Sequence, residues 1–111
     1  MHMGSIRTLA TTVVATGAVA DRRFITFADA QAGLDAVVKG ISEMAGVAGD
    51  ALPVTLIGIV DMVAGGAIAA GAEVVSDANG QPIAKGANVN TAGRSLNAAG
   101  AAGARVQILI R

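Results

Sequence analysis

A small all-β domain is the fold class this sequence predicts, and three observations carry the expectation. Residues 64–83 alternate very short apolar segments with turns of small residues. At the C-terminus Val106, Ile108 and Ile110 alternate with Arg105, Gln107 and Arg111, the period of a half-buried strand, with Leu109 the exception on its polar face. Glycines recur at 58, 65, 66, 71, 80, 86, 93, 100 and 103, a spacing that suits corners between short, strongly bent strands.

Taken in order, residues 1–20 read as an N-terminal arm or first strand, and residues 21–111 as a single β-rich domain. Thr8, Thr11, Thr12, Val13 and Val14 are β-branched and favour an extended backbone. Arg7 followed by the apolar residues 9–20, ending Ala18-Val19-Ala20, mimics a secretion signal. The strand reading is preferred here. Residues 29–44 carry two readings. Leu34, Val37, Val38 and Ile41 fall at helical spacing among good helix formers, while Gly33 and Gly40 oppose a helix. Residues 54–63 alternate two apolar sets and predict a central strand buried on both faces. Asp61 lies inside it, either at a strand end facing water or as the buried partner of an arginine across a subunit interface.

Beyond that strand, Gly65, Gly66 and Gly71 are placed where turns call for backbone angles that side chains forbid. Val74-Val75 and Ile83 flank residues 77–80, and Asn79-Gly80 suits the two-residue turn of a hairpin. Pro82 fits only an edge or a strand start. Residues 91–99 read as a short helix with Thr91 as N-cap and Gly100 as stop, and with Leu96 as the buried anchor.

Composition narrows the function. The 111 residues suit one domain, and 53% are hydrophobic, but much of that is Ala, aromatics are 2%, and 15 residues are Gly. Ala and Gly bury little area, so a monomer is expected to be marginally stable and to rely on subunit contacts. Eight basic residues balance eight acidic ones, which removes the electrostatic footprint of a nucleic-acid binder. Arg22-Arg23 is the only adjacent basic pair. The absence of Cys excludes a disulfide scaffold and fits assembly in a reducing cytoplasm. Residues 54–75 are apolar, but Asp61 and Gly65-Gly66 interrupt them, so no membrane segment is expected.

No motif of catalysis or cofactor binding stands out, and the chain is not expected to be an enzyme. His2 is the sole histidine and sits in a terminal segment. A calcium loop beginning at Asp77 would need Gly and Glu where Pro82 and Asn88 stand. The stretch from Gly80 to Gly86 has Pro82 inside the would-be phosphate loop and Gly86 where the hydroxyl residue of a P-loop should follow Lys85.

The order of weak signals is nonetheless familiar. Arg23-Phe24-Ile25-Thr26-Phe27 followed by Ala30-Gln31-Ala32-Gly33, then residues 64–83, then residues 92–110 with Ala92-Gly93-Arg94-Ser95-Leu96 and Val106-Gln107-Ile108-Leu109-Ile110, resemble the small capsid cement, or head decoration, proteins of tailed bacteriophages. Some members of that family have carried a RecA/RadA-type recombinase label, which the failed P-loop argues against. The resemblance implies a β-clip or β-tulip domain, a strand at residues 36–41, and a loop or strand at residues 92–98. It implies a structural protein without cofactor that binds the major capsid protein on the outer surface of the expanded head. Homotrimers at threefold and quasi-threefold positions, assembled on the virion in the host cytoplasm, follow from the same resemblance. Candidate capsid or subunit contacts are Arg7, Thr8, Leu9, Thr11 and Val13, as an arm that adds a strand to a neighbour, and Arg22 and Arg23, as a pair that docks on an acidic groove or simply lies in an exposed loop. Two other classes compete: a β-clip ligand-binding module, for which Phe24 and Phe27 make a poor aromatic platform, and a secreted adhesin-like subunit.

Overall fold

A computed structural model describes residues 6–111, with the side chain of Arg7 left out of account. Eight strands are described: β1 (Ile6–Val14), β2 (Arg23–Thr26), β3 (Val38–Ser42), β4 (Ala51–Val63), β5 (Glu73–Ser76), β6 (Pro82–Ala84), β7 (Gly93–Ser95) and β8 (Arg105–Ile110). All pairings are antiparallel, in the order β2-β3-β4-β8-β7-β5-β6, and there is no helix among the described residues. The all-β expectation holds. Residues 38–42 are a strand, which resolves the ambiguity at 29–44, and residues 93–95 are a strand in place of the helix considered at 91–99.

β4 is the central strand. Thr55 pairs with both Ala10 of β1 and Ile41 of β3, and Gly58 with both Arg7 of β1 and Ile110 of β8. It follows that β1 runs along one edge of β4, while β3 and β8 share the other edge in succession. The β1 register slips at Thr8 and again at Leu56, the bulged residues. The Leu56 bulge has a consequence for the core. Through their pairings Phe24, Ile41 and Thr55 share one face, as do Val60 and Ile108, and Phe24, Ile41, Val60 and Ile108 all belong to one core cluster. Thr55 and Val60 are an odd number of residues apart, so side-chain parity reverses between them.

Two cores result. The larger gathers Phe24, Ile41, Val60, Met62, Val74, Val106 and Ile108, and the smaller gathers Val13, Ala15, Val19, Ile25, Leu52 and Val54. Phe24 and Ile25, adjacent on β2, serve one each. Buried hydroxyls are satisfied locally: the Ser42 hydroxyl donates to the Met44 carbonyl at 2.7 Å, Thr55 to a Glu43 carboxylate oxygen at 3.0 Å, and Ser95 to the Ala69 carbonyl at 2.6 Å.

Several expectations are corrected. Leu96 is 44% exposed, and Ser95, Ala92 and Ala99 take its place inside, because β7 presents Ser95 beside Ile108. Asp61 is buried mid-strand opposite Gln107, so it does not face water at a strand end. Phe27 lies beyond β2 and is exposed. The hairpin between β5 and β6 closes at Asp77 and Gln81 and has a three-residue loop, with only Gly80 at positive φ (75°), so Asn79 is not half of a two-residue turn. Gly71 has the expected positive φ of 77°, but Gly65 and Gly66 do not. Gly65 is required for a different reason: a Cβ there would run into the Asp77 carboxylate.

A Cβ on Gly93 would sit 2.7 Å from the Leu109 carbonyl oxygen and 2.8 Å from Ile108 Cγ2, whereas one on Gly100 meets nothing. Gly93→Ala is therefore expected to lower unfolding free energy by about 1–3 kcal/mol. Gly100→Ala should stay within about 0.5 kcal/mol of the unaltered protein. Urea midpoints at equal protein concentration check both.

Candidate interaction surface

Among the described residues no three His, Cys, Asp or Glu side chains form a group that could hold a metal ion. His2 and the rest of residues 1–5 lie outside the described residues. What the fold does present is a long open strand edge at β1 and a basic cleft.

The edge belongs to β1. Its one strand partner among the described residues is β4, leaving the other edge of nine residues unpaired. Thr8, Leu9 and Thr11 are exposed there, along with Ile6 and Val14. Ile57, the register partner of Leu9, is also exposed, which extends the apolar strip onto β4. Val13 is a correction: it is buried in the smaller core, opposite Leu52, and anchors β1 to the domain. Its direction follows from the register, since side chains two apart share a face and Ala15 continues the buried row. The first strand thus packs on its own domain while keeping an edge free. Long edges are usually blunted by Pro, Lys or bulges. Here a single bulge, at Thr8, interrupts it.

The cleft, about 180 Å³, is lined by Asp21, Arg22, Arg23, Val63, Gln81 and Arg105. Four segments build it. Residues 21–22 turn into β2, and Arg22 takes a positive φ of 54° in that turn. Val63 ends β4 and pairs with Arg105, which opens β8. The 77–81 loop supplies Gln81 and docks on β2, where Phe24 N–H donates to the Gly80 carbonyl at 2.9 Å. The Arg23 guanidinium donates to the Asn79 carbonyl at 2.8 Å, which fixes its position. Arg22 and Arg105 make no ion pair or side-chain hydrogen bond among the described residues.

Three other cations are engaged. Lys39 pairs with Asp29, and Lys85 and Arg94 lie 3.6 and 3.9 Å from Glu73. A second cleft, of about 170 Å³, is bounded by the paired Glu73 and Arg94 together with Arg111, and Arg94 also donates to the Gly71 carbonyl at 2.7 Å. The structure thus brings Arg22 and Arg23 together with Arg105, which sequence reading treated only as the outer face of a C-terminal strand. No linear signal joins residues 22 and 105. The pairing of β4 with β8 sets Arg105 beside Val63, and both line the cleft that Arg22 borders from the turn before β2.

A compact β domain with an open edge, an exposed apolar strip and a small charged cleft has the features of a protein that works by contact. Consistent with that class, the phage cement protein family model matches residues 3–110, and the chain belongs to that family. It is a capsid-associated structural protein of a bacteriophage, not an enzyme. The chain is also similar to the head fiber gp8.5 N base in bacteriophage phi29, with a TM-score of 0.74 over 93% of each chain at 16% identity. That likeness is one of fold. No curated protein matches the chain.

Asp77 holds the loop that carries Gln81. Its Oδ1 accepts from Asn79 N–H at 2.8 Å and Gln81 N–H at 2.9 Å. Asp77→Ala is expected to cost about 1–2 kcal/mol of stability. Amide exchange should speed up at Asn79 and Gln81 ahead of the rest of the chain.

Proposed function

We propose that this protein cements the expanded icosahedral head, binding its outer surface across adjacent major capsid subunits as a trimer at threefold and quasi-threefold positions. The observation that carries the reading is the unpaired β1 edge with its exposed apolar strip on a domain of the cement family. An extended partner segment added to that edge gains main-chain hydrogen bonds, and Ile6, Leu9 and Ile57 supply apolar area beside them. Arg7, Thr8, Leu9 and Thr11 are the contact residues of this reading, with Arg22 and Arg23 as its charged complement. Val13 supports it from inside by holding β1 flat on β4.

The mechanism is linkage. A site that exists only when capsid subunits are correctly juxtaposed stabilises that arrangement by mass action, so binding opposes the pressure of packaged DNA without any reaction. Repetition over the lattice adds avidity. The protein would be made in the host cytoplasm and end on the virion exterior.

Purified protein mixed with undecorated expanded heads of its parent phage should bind saturably and pellet with them, while unexpanded procapsids should not retain it. Absence of binding to either would remove the cement reading. Leu9→Lys with Thr11→Lys is expected to leave stability within about 0.5 kcal/mol. The same pair should weaken head binding about tenfold or more, because a charged edge repels strand addition.

A further inference from the structure

We infer that the cleft between Arg22, Arg23 and Arg105 is a carboxylate-binding site that captures an acidic side chain of a partner protein. That the partner is a capsid subunit rests on the cement reading; the chemistry of the cleft does not.

Charge comes first. Three of the eight basic residues line one small cleft and only one of the eight acidic residues, Asp21, joins them, in a chain of zero net charge. The local excess is therefore set against a remainder of five basic and seven acidic residues. Availability is the second point. Arg22 and Arg105 have no partner among the described residues, whereas Lys39, Lys85 and Arg94 are paired within the fold. Asp21 borders the same cleft yet forms no ion pair with any of the three arginines.

The third point is backbone conformation. Arg22 is held at a φ of 54°, in the left-handed region where Gly or Asn sits more easily. An arginine there gives up backbone comfort, and its guanidinium forms no internal bond that would explain the choice. A role for the side chain at the cleft does explain it. Preorganisation is the fourth. Arg23 is tied to the Asn79 carbonyl, and the Gln81 backbone is positioned by the Asp77 turn, so a ligand meets one fixed guanidinium beside a Gln81 side chain carried on an ordered loop.

The geometry favours a carboxylate over a phosphate. A guanidinium fork matches two carboxylate oxygens in a bidentate pair, and two free arginines beside a neutral amide suit a single negative charge. Asp21 at the same cleft disfavours a doubly charged phosphate. Val63, 38% exposed at the wall, suits the methylene groups of a Glu or Asp side chain.

The test titrates the full chain with N-acetyl-glutamate N-methylamide, and separately with inorganic phosphate, following the Arg Nε–H and Gln81 amide signals by NMR. One saturating curve at millimolar ligand is expected for Arg22, Arg23, Arg105 and Gln81, with phosphate weaker. The curve should vanish in Arg22→Gln/Arg105→Gln and survive in Arg111→Gln. Absence of saturation, tighter phosphate binding, or persistence of the shifts in the double variant would overturn the inference. On expanded heads, the double variant should bind about tenfold more weakly and with a flatter salt dependence than the unaltered protein. Full binding with unchanged salt dependence would overturn the inference and leave the cement reading standing. Failure of the unaltered protein to bind heads, with the cleft still taking the glutamate analogue, would remove only the cement reading.

Discussion

The rest of the structure depends on the hydrogen-bonded ladders along β4. This strand is flanked by β1 on one edge and by β3 and then β8 on the other, so three non-neighbouring parts of the chain register against it. Aromatics are scarce and Gly and Ala are plentiful, which limits what apolar burial alone can contribute. Main-chain pairing therefore has to position nearly everything else. The bulge at Leu56 lets one strand feed two cores, because it reverses the face that later side chains occupy. Both interaction surfaces draw on that arrangement: β1 keeps a free edge because only β4 pairs it among the described residues, and Arg105 reaches the cleft that Arg22 lines because β8 starts beside Val63 at the end of β4.

The close approach of the 77–81 loop to its surroundings is a second constraint, subordinate to the first. Asp77 accepts from two backbone N–H groups of its own loop, Gly65 leaves room for its carboxylate, and Gly80 lets the loop sit against Arg23 and Gln31 of the β2 region. Short loops of this kind have little area of their own to bury. Their order comes from charge-assisted hydrogen bonds and from neighbours that lack a Cβ. The cleft inherits its rigidity from this loop, and a contact protein benefits, since ordering a binding surface beforehand lowers the entropy lost on association.

Much of the architecture was legible in the chain. The alternation of Val106, Ile108 and Ile110 against Arg105 and Gln107 marked β8 correctly, since a half-buried strand writes its two faces into a period of two. Residues 54–63 marked the central strand, and Pro82 marked the start of an edge strand. Leu96 was misleading because a large apolar residue in a Gly- and Ala-rich stretch looks like an anchor. In the fold, β7 is too short and too close to Ile108 to turn Leu96 inward, and Ser95 with its hydroxyl bonds fills that place. Gly65 lies in a bend but without the positive φ that its turn position suggests; what it supplies is room for the carboxylate of Asp77, twelve positions away.

By itself the sequence determined the class: an all-β chain of short strands and glycine corners, without catalytic or metal-binding machinery in evidence, and with an order of weak signals that resembles phage cement proteins. These are local properties, fixed by side-chain period, β-branching and turn chemistry within a few residues. Tertiary structure alone decided which strand keeps a long open edge, that Val13 is buried while Leu9 on the same strand is exposed, that Asp61 is buried, and that Arg22, Arg23 and Arg105 share a cleft. Those facts depend on register between strands far apart in the chain. A one-residue slip at a bulge turns every later side chain to the opposite face, and no local pattern records it.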